Sequence, residues 1–109
     1  KFPLTIQGTD FGLAQHHILS SGSAQAKANL LNAALNLQGK TTIEERQPSR
    51  NHSESILRSI GADIKIKTKG KYNLISLMGQ QNLKSFSIDI PSDPSSSAFF
   101  SAITLLTKS

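Results

Sequence analysis

The stretch that decides the fold is LSSGSAQAKANLLNAAL, residues 19–35, in which a short polar turn leads into a segment rich in alanine and leucine. Its apolar residues recur at intervals of three and four, the spacing of an amphipathic helix with a broad apolar face. These residues are Ala26, Leu30, Ala33, Ala34 and Leu37, with Leu31 and Leu35 widening the face. We expect Gly39 to follow the helix C-terminus. A short strand over residues 17–20, feeding this helix, is typical of a layered α/β fold.

The turn before this helix admits two functions. Ser21 or Ser23 can cap the helix by accepting hydrogen bonds from its first free N–H groups. The same N–H groups and the helix dipole also favour a bound anion, which Gly22 would allow close to the backbone. Gln25 and Lys27 would then add donors. The residues alone leave both functions open.

Composition bounds the class of protein. The chain has 109 residues, enough for one modest core, and its six aromatic residues include no tryptophan. The absence of cysteine excludes disulfides, thiolate catalysis and cysteine-bound zinc, and it fits an intracellular protein. No apolar stretch is long enough to span a membrane. The net charge of +5 favours anionic partners, either phosphorylated metabolites or nucleic acid.

A strand, a helix and a hairpin are expected after the first helix. The strand covers residues 41–45, and the second helix opens at residues 49–52, carries an apolar stripe and ends at Gly61. The stripe consists of Ile56, Leu57 and Ile60. Residues 63–68 alternate strictly and turn at residues 69–71 into a strand over residues 72–78. In this last strand Ile75 and Leu77 leave open which face points to the core.

Further elements are expected on either side of this unit. Residues 4–7 and 85–90 are predicted strands, and a third helix begins with Asp93 as N-cap and Pro94 as its first residue. Two successive β-α-β crossovers imply parallel pairing, with the helices on one face of the sheet. The segment FSIDIPSDPSSSAFFSAITLL resembles the first strand, turn and helix, which hints at a repeated unit. No initiator methionine begins the sequence, so we expect a piece of a longer chain.

A second polar loop, QPSRNHSES, contains the residue that fits a purely structural function least well. Ser49 or Asn51 can cap the second helix, but Arg50 places a cation where the helix dipole disfavours it, unless an anion binds there. His52 is expected to be solvated. His16 and His17 are adjacent on a strand, so they face opposite ways and cannot chelate one metal. No metal site is expected.

Four motifs in series, SGSAQAK, PSRNHSE, IGADI and IPSDPSSSAFF, resemble an internal piece of 5-enolpyruvylshikimate-3-phosphate (EPSP) synthase, the sixth enzyme of the shikimate pathway. The chain is most similar to the bacterial subgroup that has S-A-Q-x-K, and the resemblance covers essentially all of it. A sister enzyme transfers enolpyruvate to UDP-N-acetylglucosamine and shares the fold, but it lacks the S-A-Q and S-R-N-H patterns. Ser92, where the family usually has glycine, and Ala26, where a larger residue is common, depart from the pattern.

The resemblance implies an α/β fold: a β-α-β-α-β-β unit with its helices on one face of a mixed sheet. Residues 1–90 would be the last such unit of one synthase domain with a preceding strand. Residues 91–109 would be the crossover and the first helix of the other domain, and the fragment would form one compact domain.

The resemblance also implies the site. Ser23, the N–H group of Ala24, and Gln25 would hold shikimate 3-phosphate, with Gln25 also near phosphoenolpyruvate, and Arg50 would bind the same phosphorylated substrate. The fragment would contain no catalytic residue, use no metal or organic cofactor and be inactive alone. Its partners would be the two anionic substrates and the rest of a monomeric, cytoplasmic chain, without membrane or nucleic acid. The alternative is a small RNA-binding module like the C-terminal domain of translation initiation factor 3, contacting RNA through lysines within residues 65–71.

Overall fold

The computed structural model describes residues 3–107. Within this range the chain forms seven helices and strands. The order β-α-β-α-β-β is the predicted one, but the third helix follows it without the additional strand that was expected before that helix. The elements are β1 (His16–Leu19), α1 (Ala24–Ala34), β2 (Lys40–Glu45), α2 (His52–Ser59), β3 (Ile64–Lys69), β4 (Tyr72–Met78) and α3 (Pro94–Thr107).

The four strands form one mixed sheet in the order β1-β2-β4-β3. The first crossover joins β1 to β2, which pair in parallel as predicted. The second crossover differs from the expectation, because β3 and β2 run in the same direction without being neighbours. The hairpin folds β4 back between them, so β4 is antiparallel to both.

The core lies between the helices and one face of the sheet. Successive strand residues point to opposite faces, and in β2 the buried ones are Thr41, Ile43 and Glu45. In β4 the buried ones are Ile75 and Leu77, which settles the face that the sequence left open. The helices and the chain around them complete the core with Leu31, Ala34, Leu57, Ile60 and Ala62. The opposite sheet face is open and carries exposed lysines on β3.

Helix α1 is shorter than its apolar pattern predicts. It ends at Ala34 with Leu35 as C-cap, and Leu37 lies in the turn that follows. The reason is a competing backbone pairing, since Gln38 accepts from the N–H group of Ala14 and donates to the carbonyl of Gly12. Gly39 does adopt a positive φ of 94°, but in this turn and not directly after the helix.

The predicted strands over residues 4–7 and 85–90 are wrong, because neither segment is extended into a sheet. A strand exists only with a hydrogen-bonded neighbour, and no strand within residues 3–107 pairs with either segment. Their apolar residues are instead exposed, among them Ile6 and Ile90. The alternating pattern is present in both segments, but this part of the chain gives it no partner.

Helix α3 begins as the sequence predicts. Asp93 accepts hydrogen bonds from the N–H group of Ser95 at 2.9 Å and from the hydroxyl of Ser96 at 2.6 Å. These bonds to the ionised form hold the pKa of Asp93 below its ordinary value. No residue of α3 is buried, and Phe99 on its apolar face is 75% exposed. Neither α3 nor any other helix within residues 3–107 combines the length and apolarity that crossing a membrane requires.

Candidate functional site

The two polar loops singled out in the sequence lie at the same edge of the sheet. Strands β1 and β2 are parallel and end in register, with Leu19 opposite Glu45. The chain therefore leaves both strands at one edge and passes through a polar loop into α1 or α2. The carboxyl edge of parallel strands is where α/β folds commonly bind ligands.

The loops also touch each other. A Cβ atom built on Gly22 would lie 3.4 Å from the carbonyl oxygen of Gln47 and 3.5 Å from its Cβ atom. The N–H group of Arg46 donates to the carbonyl of Leu19 at 2.9 Å, at the point where the two loops begin. The loop that starts α1 and the loop that starts α2 are thus within van der Waals range of each other at Gly22 and Gln47.

Ser23 is the residue that caps α1. Its Oγ atom accepts from the N–H group of Ala26 at 3.2 Å, which confirms the capping prediction for Ser23 and not for Ser21. The first backbone hydrogen bond of the helix runs from the N–H group of Lys27 to the carbonyl of Ser23 at 3.1 Å. The N–H groups of Ala24 and Gln25 precede it and belong to the free donors of a helix start. The side chain of Gln25 is exposed.

Lys27 does not lie where the sequence analysis placed it. It was expected to add a donor to an anion site, but its side chain is only 1% exposed. Its Nζ atom lies 2.9 Å from Oε1 of Glu45 and 2.7 Å from Oε1 of Glu54. An ammonium enclosed by two carboxylates at these distances faces the protein, so Lys27 is not a ligand-binding donor.

Sequence reasoning missed this buried cluster, although the sequence carries a signal for it. Lys27 precedes Leu31 and Ala34 by four and seven residues, so it lies on the buried face of α1. Glu45 continues the buried alternation of β2, and Glu54 lies one turn before the buried Leu57. Opposite charges at three core positions indicate a buried ion cluster, whereas each of them alone reads as a surface residue.

Glu45 connects this cluster to the second loop. Its Oε1 atom accepts from the N–H group of Ser49 at 3.0 Å and from the hydroxyl of Ser49 at 2.5 Å. Its Oε2 atom accepts from the side-chain amide of Asn73 at 3.4 Å. Burial alone would raise the pKa of Glu45, but the hydrogen bonds from Ser49, Lys27 and Asn73 and the charge of Lys27 outweigh it, and the pKa falls below its ordinary value.

The start of α2 is capped differently from the prediction. The side chain of Ser49 is engaged with Glu45, and Asn51 occupies the N-cap position without a side-chain cap hydrogen bond. Arg50, between them, is exposed and forms no ion pair with any residue in the described range 3–107. His52 is exposed as expected. The loop therefore presents one unpaired guanidinium beside a helix N-terminus.

No metal-binding cluster accompanies the two polar loops in this part of the chain. Within residues 3–107 no three His, Cys, Asp or Glu side chains are grouped so that they could hold a metal ion. An apolar groove of about 460 Å³ runs between residues 9–17 and residues 30–37, where Leu30 and Ala33 of α1 and Leu37 of the following turn line it. Leu30 lies roughly 10 Å along the axis of α1 from Ser23. The groove is thus separate from the polar loops.

Fold and site together define a β-α-β-α-β-β unit whose two polar loops meet at the carboxyl edge of its parallel strands. The family model described as EPSP synthase (3-phosphoshikimate 1-carboxyvinyltransferase) matches residues 1–109. The chain belongs to the EPSP synthase family. The expected family and fold class are thereby confirmed.

Relatives and solved structures agree with this assignment. The 3-phosphoshikimate 1-carboxyvinyltransferase of Acidiphilium cryptum (strain JF-5) is 41% identical over 99 residues, covering 91% of this chain and 22% of the relative. That of Persephonella marina (strain DSM 14350 / EX-H1) is 40% identical, covering 95% of this chain and 24% of the relative. EPSP synthase from Acinetobacter baumannii, solved at 2.37 Å, is 41% identical with a TM-score of 0.61, covering 81% of this chain and 19% of that one. The chain thus spans about a fifth of the length of these relatives.

Proposed function

We propose that this chain is part of an enzyme that transfers enolpyruvate from phosphoenolpyruvate to shikimate 3-phosphate, and that it supplies part of the shikimate 3-phosphate site. The observation that carries the proposal is the meeting of the two polar loops. One loop offers the free N–H groups that start α1, and the other offers the unpaired Arg50. Gly22 and Gln47 are in contact range, so one phosphorylated ligand can reach both loops.

Each site residue would have a defined function. The Oγ atom of Ser23 accepts the capping hydrogen bond through a lone pair, so its hydroxyl proton is still able to donate to a phosphate oxygen. The N–H group of Ala24 and the exposed side chain of Gln25 add neutral donors, and Gln25 would also lie near phosphoenolpyruvate. Arg50 supplies the positive charge, and its planar guanidinium can donate two parallel hydrogen bonds to a phosphate.

The family reaction adds a substrate hydroxyl to phosphoenolpyruvate and then expels phosphate, without a metal or organic cofactor. Two anions must be held side by side, so binding groups that position them and neutralise their charge carry much of the catalysis. This chain would supply positioning groups alone. The acid, the base and the remaining cations would come from the rest of the synthase, so the isolated piece would be inactive.

The division into domains and the bacterial subgroup follow from the resemblance to EPSP synthase. Residues 1–90 would be the last unit of one synthase domain, and residues 91–109 the crossover and first helix of the other. The exposed apolar face of α3 supports this division, because that helix adds no buried residue to the core between the sheet and the other helices. The S-A-Q-x-K motif would place the parent in the corresponding bacterial subgroup, as a monomeric cytoplasmic enzyme.

A titration with shikimate 3-phosphate, followed through the backbone amide signals of the ¹⁵N-labelled chain, tests the proposed site. The expected shifts are centred on Ser23, Ala24 and Gln25 and on the amides around Arg50. Arg50→Ala should weaken the binding, whereas the matched control Arg58→Ala, an exposed arginine at the other end of α2, should not. Shifts confined to the lysines of residues 65–71 would contradict the proposal.

A further inference from the structure

We propose that Lys27 is a positioning residue, which holds the loop of Ser23 and the loop of Arg50 at the separation that a phosphorylated ligand requires. The inference rests on the proposed function, because it explains how the two parts of that site are kept together. It concerns the Lys27 cluster, defined as the side chains of Lys27, Glu45, Glu54 and Ser49. None of these four side chains is assigned to ligand binding.

The first step is the connectivity of the cluster. Lys27 is tied to Ser23 by the first backbone hydrogen bond of α1. Its ammonium group then contacts Glu45 at the end of β2 and Glu54 in the first turn of α2. Glu45 in turn accepts both hydrogen bonds of Ser49, the residue next to Arg50. An unbroken series of short contacts therefore joins the two loops beneath their surface.

The second step is that no side-chain cap holds the start of α2. Asn51 makes no such hydrogen bond, so the anchors of this helix start on the core side are Glu45, through Ser49, and Glu54. Both anchors meet at the ammonium group of Lys27. The orientation of the Arg50 loop is thus set by a residue of α1, the helix that carries the other half of the site.

The third step is energetic. Lys27, Glu45 and Glu54 are at most 3% exposed, and burying three charges costs desolvation free energy that their mutual attraction offsets only with good geometry. Apolar side chains of similar volume often fill such a space with equal or greater stability. Stability alone therefore does not account for the cluster, whereas a directional link between two binding loops does.

The fourth step is that the link is rigid. Long flexible side chains on a surface adjust to their partners, but the three charged groups here are enclosed by the core. Displacing a positioned binding group by about 1 Å can cost two orders of magnitude in rate. Loss of the Lys27 ammonium should therefore separate the loops and weaken ligand binding, although Lys27 does not touch the ligand.

The experiment compares Lys27→Met with Lys27→Arg and with the control Lys65→Met, a change at an exposed lysine of β3. One readout needs no ligand: the nuclear Overhauser contact between Gly22 and Gln47, which reports the separation of the loops. The other readout is the affinity for shikimate 3-phosphate. We expect Lys27→Met to lose the contact and to weaken binding about tenfold. Lys27→Arg should retain much of both, and Lys65→Met all of both.

The outcomes separate this inference from the proposed function. A folded Lys27→Met variant that keeps the Gly22 contact and the wild-type affinity overturns the positioning function. If the wild-type chain shows no shifts at Ser23 to Gln25, the proposed function fails, while the ligand-free contact still tests the link. Should Lys27→Met not fold, Glu54→Gln removes one charge at constant volume, and the same two readouts decide.

Discussion

Lys27 and Glu45 form a buried ion pair, with 2.9 Å between Nζ and Oε1 and only 1% of either side chain exposed. The pair joins the first turn of α1 to the last residue of β2. Oε1 of Glu54 lies 2.7 Å from the same ammonium group. One cation thus pairs with two carboxylates, so its removal leaves two buried negative charges without a counter-ion.

Replacing Lys27 by methionine should lower the free energy of unfolding by about 3 to 5 kcal/mol, because two buried carboxylates lose their counter-ion. Urea unfolding of the variant measures the change. Lys65→Met is the matched control and should stay within about 0.5 kcal/mol of the wild type, since Lys65 is exposed. Equal stability of the Lys27 variant and the wild type would mean that the carboxylates do not depend on this charge.

Acid should destabilise the fold through Glu45. Its pKa in the folded chain lies below the value of 4.5 expected for an unperturbed glutamate, so the unfolded chain takes up the proton first. The stabilisation from Glu45 is therefore complete above about pH 4.5 and is lost as the pH falls through the lower folded pKa. Urea midpoints at pH 7 and pH 3 measure the loss, which should be smaller in Glu45→Gln. An unchanged pH dependence in that variant would contradict the assignment.

The cap of α1 separates Ser23 from its neighbour Ser21. Ser23→Ala removes the hydrogen bond to the N–H group of Ala26 and should cost about 1 kcal/mol of stability. Ser21→Ala, two residues earlier, should have little effect, because the hydroxyl of Ser21 does not cap the helix. Thermal or urea unfolding of the two variants checks this. Equal losses would show that the caps are interchangeable.

Gly79 is expected to tolerate no side chain. It is buried directly after β4, and a Cβ atom there would overlap the carbonyl oxygens of Leu37 and Ala34, which are backbone atoms that cannot rotate away. Gly79→Ala should therefore destabilise the chain by roughly 1 to 3 kcal/mol or more. Gly8→Ala is the control, since nothing lies within 4 Å of the added atom. A stable Gly79→Ala variant would disprove this close approach.

Much of the fold could be predicted because it depends on local patterns. In α1 the buried residues include Ala34 of the predicted stripe and the flanking Leu31, whereas Ala33 is exposed. The alternation predicted for β3 buries Ile64, and Asp93 begins α3 as its sequence context suggests. The strands expected over residues 4–7 and 85–90 failed for a physical reason. Alternation describes how a segment could pair, but it does not say which partner strand is present.

In the site, too, features that depend on neighbouring residues could be predicted, whereas features that depend on tertiary contacts could not. The residue types around each helix start limited the cap of α1 to Ser21 or Ser23 and identified Arg50 as a cation that the helix dipole disfavours. Lys27 could not be placed that way, because a lysine close to a possible anion site looks like a ligand donor. Its true contacts are Glu45, 18 residues later, and Glu54, 27 residues later, which only the crossover and the packing of α2 bring to it.

The measurement that tests the central claim most directly is made in a complete enzyme. The segment of Acinetobacter baumannii EPSP synthase that aligns with this chain is replaced by it, and kcat/KM for shikimate 3-phosphate is compared between Arg50→Ala and Arg58→Ala. We expect an active chimera in which Arg50→Ala lowers kcat/KM by about ten- to a hundredfold, the worth of one charge-assisted contact, while Arg58→Ala leaves it unchanged. A folded but inactive chimera, or equal effects of the two arginine variants, would contradict the claim that this chain supplies the substrate site.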